Sequence, residues 1–469
     1  MKRPSNAPRR SAVTDARRLA YDALIAAEQR PVFVGQLLDE LFTSRCPAAD
    51  DRRLAREIAA GVIRRRSTID TLLGYHSARP QSEIEPELWT LLRIGAYQLL
   101  FLSIPAYACL HETVELAKRL SRTRWVRFAN GILRSVQRDL TDDHLDAPRS
   151  DALPLVDVES ERTKVTYRRL ESTVFTPPEE DHAAYVSKAF GLPAWLTERW
   201  SRHCDADRLL QRAAWFATPG RMSLRVNLLK TDRQTVLDVL RTAGVDAAAG
   251  EQPEAIRLTR SIRVQDIPGF AEGWFSVQDT SAMQAVDLLD PQPGQRVLDL
   301  CAAPGGKTAH LAELMQDTGQ ITAIDVDDDR LRLINEGAKR LGLSIIKTRR
   351  VDPEHGNLPD DVYDRILVDV PCSNTGVLGK RPEARWRISA AGIEELSNLQ
   401  RQLLRTAMTR LGESGRLVYS TCSVEPEENE EVVAAALREN PELRLEDERR
   451  HEPGRPADGG YQALLVRGD

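Results

Sequence analysis

The sequence predicts a multi-domain chain: an all-α bundle, then a small α+β domain, then an α/β domain on a parallel sheet. Three observations predict it. Apolar residues recur at helical spacing through 16–139. That periodicity lapses over 140–172, where acids and prolines dominate. From 291 onward, short apolar runs alternate with amphipathic helical stretches, the pattern of a doubly wound sheet. A chain of 469 residues exceeds one ordinary core, so several domains are expected.

In chain order these are a basic tail (1–15), a helical domain (16–139), a linker (140–184), a small α/β domain (185–290) and an α/β domain (291–469). In the helical domain Leu54, Ile58 and Val62 share a face, with Ala55 and Ala59 beside them. Leu88, Leu91, Leu92, Leu99 and Leu100 form a second stripe, and Ile132, Leu133 and Val136 a third. Pro80, Pro86 and Pro105 punctuate the segment. Asp142, Asp143, Asp146, Asp151 and Asp157, with Pro148 and Pro154, predict a loosely ordered connection. In the small domain, helices are expected around 195–200, 209–216 and 233–243, and strands at 222–227, 256–258 and 275–278. The last domain should place strands at 296–300, 321–325, 345–351, 365–370 and 416–420, with helices at 308–315, 329–341 and 393–411 between them.

The net charge of −5 hides an asymmetry. Residues 1–140 carry 23 Lys+Arg against 15 Asp+Glu, a net of +8 that leaves −13 for the remainder. A basic amino-terminal third on an acidic body suits a polyanionic partner, and equally a solvated helical surface. The 6 cysteines are scattered, without a Cys-x-x-Cys pair or a His/Cys cluster of zinc spacing, so neither a disulfide framework nor a metal is expected. Residues 1–18 are basic and polar, unlike a secretory signal. The longest uncharged run, 94–110, contains Gln98, Ser103 and Pro105 and reads as a buried helix plus a turn rather than a membrane span. A cytoplasmic, reduced chain is expected, with thiols free to react.

Chemistry is concentrated in three segments. Leu298-Asp-Leu-Cys-Ala-Ala-Pro-Gly-Gly-Lys-Thr308 is a strand running into a glycine-rich turn. Gly305 and Gly306 let backbone approach a ligand, and the following helix offers free N–H groups. The spacing is neither that of a Walker loop nor G-x-G-x-x-G. Acids follow at the ends of successive strands: Asp299, Asp325, Asp352 and Asp369. Asp325 is placed to accept ribose hydroxyls, and Asp352 an adenine amino group. For one such Asp, helix capping would be the better explanation. Four in register with the turn favour a ribonucleoside cofactor without a polyphosphate, and S-adenosylmethionine fits.

The other two segments put a thiol just after a strand: Cys372 in Val368-Asp-Val-Pro-Cys-Ser373, and Cys422 in Tyr419-Ser-Thr-Cys-Ser-Val424. Carbon 5 of a pyrimidine is a poor nucleophile until a thiolate adds at carbon 6, and a base must later remove the carbon-5 proton. Two strand-end thiols beside a methyl donor would supply both groups. A lone cysteine after a strand is more often a small buried hydrophobe. The nucleophile needs positive charge nearby, for which Lys307 and Arg387 are candidates.

These segments, with Asp369-Val-Pro-Cys-Ser-Asn-Thr-Gly376 and Ser420-Thr-Cys-Ser-Val-Glu-Pro-Glu-Glu-Asn429, resemble the RNA cytosine-5 methyltransferases of the Nol1/Nop2/Sun group over roughly 185–469. The resemblance implies a Rossmann-like methyltransferase domain that holds S-adenosylmethionine on Cys301, Ala302, Ala303, Pro304, Gly305, Gly306 and Lys307, with Asp325, Asp352 and Asp369. It implies Cys422 as the nucleophile and Cys372 as the group aiding proton removal or enzyme release, with Lys307 and Asp369 near the target base. The chain departs from the group's pattern at Val370, a modest size change, and, outside the catalytic motifs, at Lys380-Arg-Pro-Glu-Ala-Arg-Trp-Arg387 and at Asp458-Gly-Gly-Tyr461, where substrate fit rather than chemistry would change.

Ala16-Arg-Arg-Leu-Ala-Tyr-Asp-Ala-Leu24, Leu92-Arg-Ile-Gly-Ala-Tyr-Gln-Leu-Leu100 and Phe128-Ala-Asn-Gly-Ile-Leu133 resemble the NusB-like RNA-binding domain. Such a domain joined to such a methyltransferase implies 16S ribosomal RNA, or the pre-ribosomal small subunit, as partner of a monomeric enzyme. Arg64-Arg-Arg66 and the cluster Arg119, Arg122, Arg124 and Arg127 are candidate phosphate contacts, with solvated helix faces the alternative. Two other functions stay open: a methyltransferase acting on transfer RNA, and a non-catalytic NusB-like RNA-binding factor, against which both thiols argue.

Overall fold

A computed structural model describes residues 16–30, 32–159, 162–259, 262–352, 358–454 and 457–467; the basic tail lies outside them. The chain forms two compact units, residues 1–219 and 220–469.

The first unit opens with seven helices: α1 (Ala16–Gln29), α2 (Val34–Arg45), α3 (Ala49–Arg64), α4 (Arg66–His76), α5 (Pro86–Phe101), α6 (Ala106–Arg119) and α7 (Thr123–Asp139). Pro86 starts α5, where a missing N–H costs nothing. Every residue of α5 from Leu88 to Leu100 is buried, including Arg93, which pairs with Asp70 at 2.7 Å, and its neighbours wrap it. A Cβ on Gly61 would sit 1.9 Å from the Tyr97 ring, so glycine sets the close approach of α3 to α5. No described helix is long and apolar enough to cross a membrane.

The expected loose connection is instead a three-stranded antiparallel sheet: β1 (Leu140–Leu145), β2 (Ala152–Glu159) and β3 (Arg162–Leu170), in the order β1-β3-β2. The acids that look like a loop in sequence face the bases of β3. Asp157 is opposite Lys164, and Arg168 and Arg169 reach Asp142 and Asp143 at 3.6 and 3.7 Å. Then come α8 (His182–Phe190), α9 (Ala194–Ser201) and α10 (Ala206–Phe216).

The expected phosphate cluster at 64–66 also needs correction. Arg64 and Arg65 are buried, Arg65 lies 4.7 Å from the Phe101 ring centre, and burial pulls its pKa down to about 9. Arg119, Arg122, Arg124 and Arg127 are exposed, though Arg124 pairs with Glu85 at 2.8 Å.

The second unit starts with β4 (Ser223–Val226), α11 (Arg233–Thr242), β5 (Ala247–Ala249), β6 (Ala255–Leu258) and β7 (Phe275–Val277), a small antiparallel sheet ordered β5-β6-β4-β7. There follow α12 (Thr280–Leu289), β8 (Arg296–Leu300), α13 (Gly306–Leu314), β9 (Gln320–Asp325), α14 (Asp328–Leu341), β10 (Ile346–Arg350), β11 (Tyr363–Asp369), α15 (Ala384–Arg387), α16 (Ala390–Met408), β12 (Leu411–Thr421), α17 (Glu430–Glu439), β13 (Leu443–His451) and β14 (Gly460–Arg467). They build a seven-stranded sheet in the order β10-β9-β8-β11-β12-β14-β13. β8 to β12 are parallel, but β14 runs antiparallel to both neighbours, so the sheet is mixed rather than wholly parallel.

Period-2 alternation assigns the two faces. Leu298, Ile366, Val368, Leu417 and Tyr419 pack against α16 and α17, whereas Val297, Leu367, Val418 and Leu464 pack against α12 and α13. Each fully buried aliphatic contributes roughly 1.5–3 kcal/mol. The strand order reverses between β8 and β11, which opens a crevice beyond their carboxyl ends.

Candidate active site

All three chemistry-bearing segments leave the sheet at that crevice. β8 runs into a turn in which Cys301 has φ +64° and Gly305 φ +98°. A Cβ on Gly305 would lie 3.2 Å from the α14 backbone at Ile334, whereas one on Gly306 would meet open space. Ala302 N donates to Ile324 O at 2.9 Å, and Ala303 N to Asp325 Oδ2 at 3.2 Å, so β9 holds the turn. Arg330, which sequence reasoning missed, donates to Ala303 O at 2.7 Å and pairs with Asp325 at 3.3 Å. Ala302 and Ala303 are buried, while Pro304 is exposed.

The four acids differ. Asp299 is fully buried and accepts from Thr308 Oγ1 at 2.6 Å, while its Oδ1 has no hydrogen-bond partner. Burial, reinforced by the charges of Asp369 and Asp325, pushes its pKa up to about 7. Asp325 is buried against the turn, and Asp352 is exposed just beyond β10. Asp369 pairs with Lys307 at 2.7 Å. Burial alone would lower the Lys307 ammonium, but the Asp369 carboxylate outweighs it and holds it up.

The two thiols meet. Cys372 Sγ and Cys422 Sγ are 3.2 Å apart, and both side chains are half-buried. Their hydrogen bond splits the pair. It lowers the Cys422 thiol below its ordinary value, helped by Arg381 and Lys307, and drives Cys372 well above. Arg381, not Arg387, is therefore the second cation acting on Cys422. It donates to Asn374 Oδ1 at 2.8 Å, and that oxygen lies 3.4 Å from Cys422 Sγ.

Behind the thiols sits Glu428, fully buried, which the sequence places in the Ser420–Asn429 motif without giving it a role. Its carboxylate accepts from Ser373 N at 2.8 Å, Ser423 Oγ at 2.5 Å, Gln400 Nε2 at 3.0 Å and also Ser373 Oγ. Burial raises its pKa. Gly376 N donates to Cys422 O at 3.0 Å, and a Cβ on Gly376 would fall 2.4 Å from Gly459 O. Two of the departures noted in sequence meet here, since Lys380 binds Asp458 at 2.8 Å and Asp279 at 2.5 Å. Both thiol loops are thus tied to each other and to the strand ends.

Residues 286–465 match the family described as the 16S rRNA methyltransferase RsmB/F, 14–138 the NusB family, and 192–265 the ferredoxin-like domain of RsmF/B-like methyltransferases. The chain is 32% identical to a probable ribosomal RNA small subunit methyltransferase B of Bacillus subtilis, over 92% of this chain and 90% of that one. It is 33% identical to the ribosomal RNA small subunit methyltransferase B of Serratia proteamaculans, over 93% and 97%. The crystal structure of PH0851 aligns with a TM-score of 0.75 at 26% identity, covering 99% of this chain and 100% of that one. A methyltransferase homolog from Pyrococcus horikoshii aligns with a TM-score of 0.55 at 29% identity, covering 61% and 99%.

Proposed function

This chain belongs to the RsmB/F family of 16S rRNA methyltransferases, and on that premise we propose that it methylates carbon 5 of a cytosine in 16S ribosomal RNA from S-adenosylmethionine, through a covalent cysteine adduct at carbon 6. The observation that carries this is the thiol pair, 3.2 Å apart and shifted in opposite directions.

The residues fit the cofactor. The turn 301–307 leaves open space at Gly306, and Asp299 Oδ1 is a buried acceptor without a partner. Asp325 and Asp369 flank the turn with carboxylates, which suit hydroxyls and a cation and disfavour a polyphosphate, and Asp352 follows the end of β10. When bound, S-adenosylmethionine supplies an electrophilic methyl group.

Cys422 is the nucleophile, because its thiolate is the form its neighbours favour. Its addition to carbon 6 turns the ring into an enamine at carbon 5. Cys372 donates to Cys422 until that sulfur is consumed by the new bond. The hydrogen bond that raises Cys372 is then gone, so the thiol gives its proton to solvent water and, as thiolate, accepts the one leaving carbon 5. Reversal of the carbon–sulfur bond frees the enzyme. The Lys307–Asp369 pair positions the polar edge of the base. Arg119, Arg122 and Arg127 of the NusB-like bundle contact phosphates, and the cytosine is flipped from its stack to reach the thiols. A monomer carries both parts, and the reducing cytoplasm keeps its thiols free.

The test is methyl transfer from labelled S-adenosylmethionine to unmodified 16S RNA. Transfer should vanish in Cys422→Ala, and Cys372→Ala should trap a protein–RNA adduct. Activity confined to transfer RNA would overturn the ribosomal assignment while keeping the chemistry. Absence of both transfer and cofactor binding would favour a non-catalytic RNA-binding factor.

A further inference from the structure

The second unit holds another polar cluster that methyl transfer does not use. His310, on α13, is 1% exposed, and neither ring nitrogen has a hydrogen-bond partner. Its Nε2 lies 3.5 Å from Glu254 Oε1 and 3.8 Å from Asp287 Oδ1. Glu254 immediately precedes β6 and is buried, while Asp287 sits on α12 with its side chain 36% exposed. The three candidate ligand atoms all lie within 4.8 Å of one another.

Both gaps are too long for good hydrogen bonds. They are close to what a tetrahedral ion requires, since metal–ligand bonds of about 2.0–2.2 Å place neighbouring ligand atoms roughly 3.3–3.5 Å apart. The charges agree. Arg225 is fully buried and cancels Glu313 at 2.7 Å. Arg449, the other cation acting on Asp287, is already paired with Asp447 at 3.0 Å. That leaves two carboxylates around a buried imidazole.

We propose that Glu254, His310 and Asp287 bind one divalent first-row metal ion, of which Zn²⁺ is the natural choice, with water as fourth ligand on the exposed Asp287 side. A donor set of one imidazole and two carboxylates suits Zn²⁺ or Co²⁺. The ion joins the start of β6 in the small sheet to α12 and to the helix that carries Lys307 and Thr308. Its role is structural: it fixes the small sheet against the cofactor turn. No sequence spacing announces it, because the ligands come from three separate elements.

The test uses the full chain, stripped with a chelator, dialysed and titrated with Co²⁺ alone. The expected result is one ion per chain, with visible d–d bands and no thiolate-to-cobalt charge-transfer band. Binding should persist in the Cys372→Ala/Cys422→Ala double variant. It should weaken by about tenfold or more in His310→Gln and in Asp287→Asn, the latter a conservative change at a half-exposed side chain. Zn²⁺ should raise the melting temperature of the wild type and not of Asp287→Asn. The proposal fails if no stoichiometric ion binds, if binding carries a thiolate band and disappears with the cysteines, or if Asp287→Asn binds as tightly as the wild type.

Discussion

The division of labour between the thiols rests on one hydrogen bond, and Cys372→Ala removes it. In the wild type the two sulfurs lie 3.2 Å apart, and the opposite shifts of the two thiols make Cys372 the donor. A hydrogen bond to a charged group contributes about 1.5–3 kcal/mol, and sulfur is a weak donor, so the lower end applies. With 1.36 kcal/mol for each factor of ten, Cys372→Ala should leave roughly tenfold less Cys422 thiolate at a fixed neutral pH. The sign is fixed by the cause: the hydrogen bond lowers Cys422, so its loss moves the titration upward. The assay is alkylation by iodoacetamide as a function of pH, with each cysteine resolved by peptide mass spectrometry. In the wild type Cys422 should react well before Cys372, with a midpoint below that of an ordinary thiol. In Cys372→Ala the midpoint should rise and the neutral rate fall about tenfold. A midpoint that stays put, or faster labelling of Cys372 in the wild type, refutes the assignment.

Three further predictions concern the surroundings of the thiols. Glu428→Ala leaves the Ser373 N–H without its acceptor and takes one partner from each of Ser373 Oγ, Ser423 Oγ and the Gln400 amide, which still donates to Pro371 O; at about 1–3 kcal/mol for an unmatched buried group, urea denaturation should register a loss of that order, and Glu428→Gln a smaller loss with slower adduct formation. Gly305→Ala forces a side chain to φ +98° and should cost roughly 1–3 kcal/mol, whereas Gly306→Ala should melt like the wild type but bind S-adenosylmethionine more weakly in equilibrium dialysis, since its Cβ enters open space. Asp299 titrates at about 7 against an ordinary 3.8, and a raised value gives stability that is complete below the unfolded value and lost as pH climbs through the folded one; denaturation between about pH 4 and 7 should therefore show a downward slope in the wild type that flattens in Asp299→Asn.

What was legible in the sequence follows physical range. The strands β8, β9, β11 and β12 were readable because each holds an apolar run ending at an acid or a thiol, a signal contained within a few residues. The three-stranded sheet over 140–170 was not, because its aspartates carry a loop-like composition until the bases of β3 are placed opposite them. Arg64 and Arg65 look like a solvated basic cluster, and only the Phe101 ring and the backbone of Gly191, far along the chain, bury them. Glu428 had the same fate in reverse. Glu427 and Glu428 stand in an acid-rich stretch with the composition of a surface, yet Glu428 lies beneath two loops whose serines supply its donors. Arg381 falls in a stretch the sequence had marked only as a departure from the family pattern. Its charge matters because Asn374, at φ +61°, turns its side-chain oxygen towards it.

The meeting of two thiols 50 residues apart is a consequence of strand register. β11 and β12 pair in parallel with Asp369 opposite Ser420, so Cys372 and Cys422 emerge three and two residues later from adjacent strand ends. That register is held by the alternation that sends Ile366, Val368, Leu417 and Tyr419 to one face of the sheet. A slip of one residue would turn every side chain of one strand to the wrong face, so the apolar core penalises any arrangement that separates the sulfurs. Beyond the strand ends the core no longer acts, and there Glu428 and the Gly376–Cys422 backbone bond take over the positioning. The hydrophobic pattern therefore brings the thiols to within a few ångströms, and the buried carboxylate supplies the remaining placement. This is why Glu428, though it touches neither sulfur, should prove nearly as sensitive to substitution as the cysteines themselves.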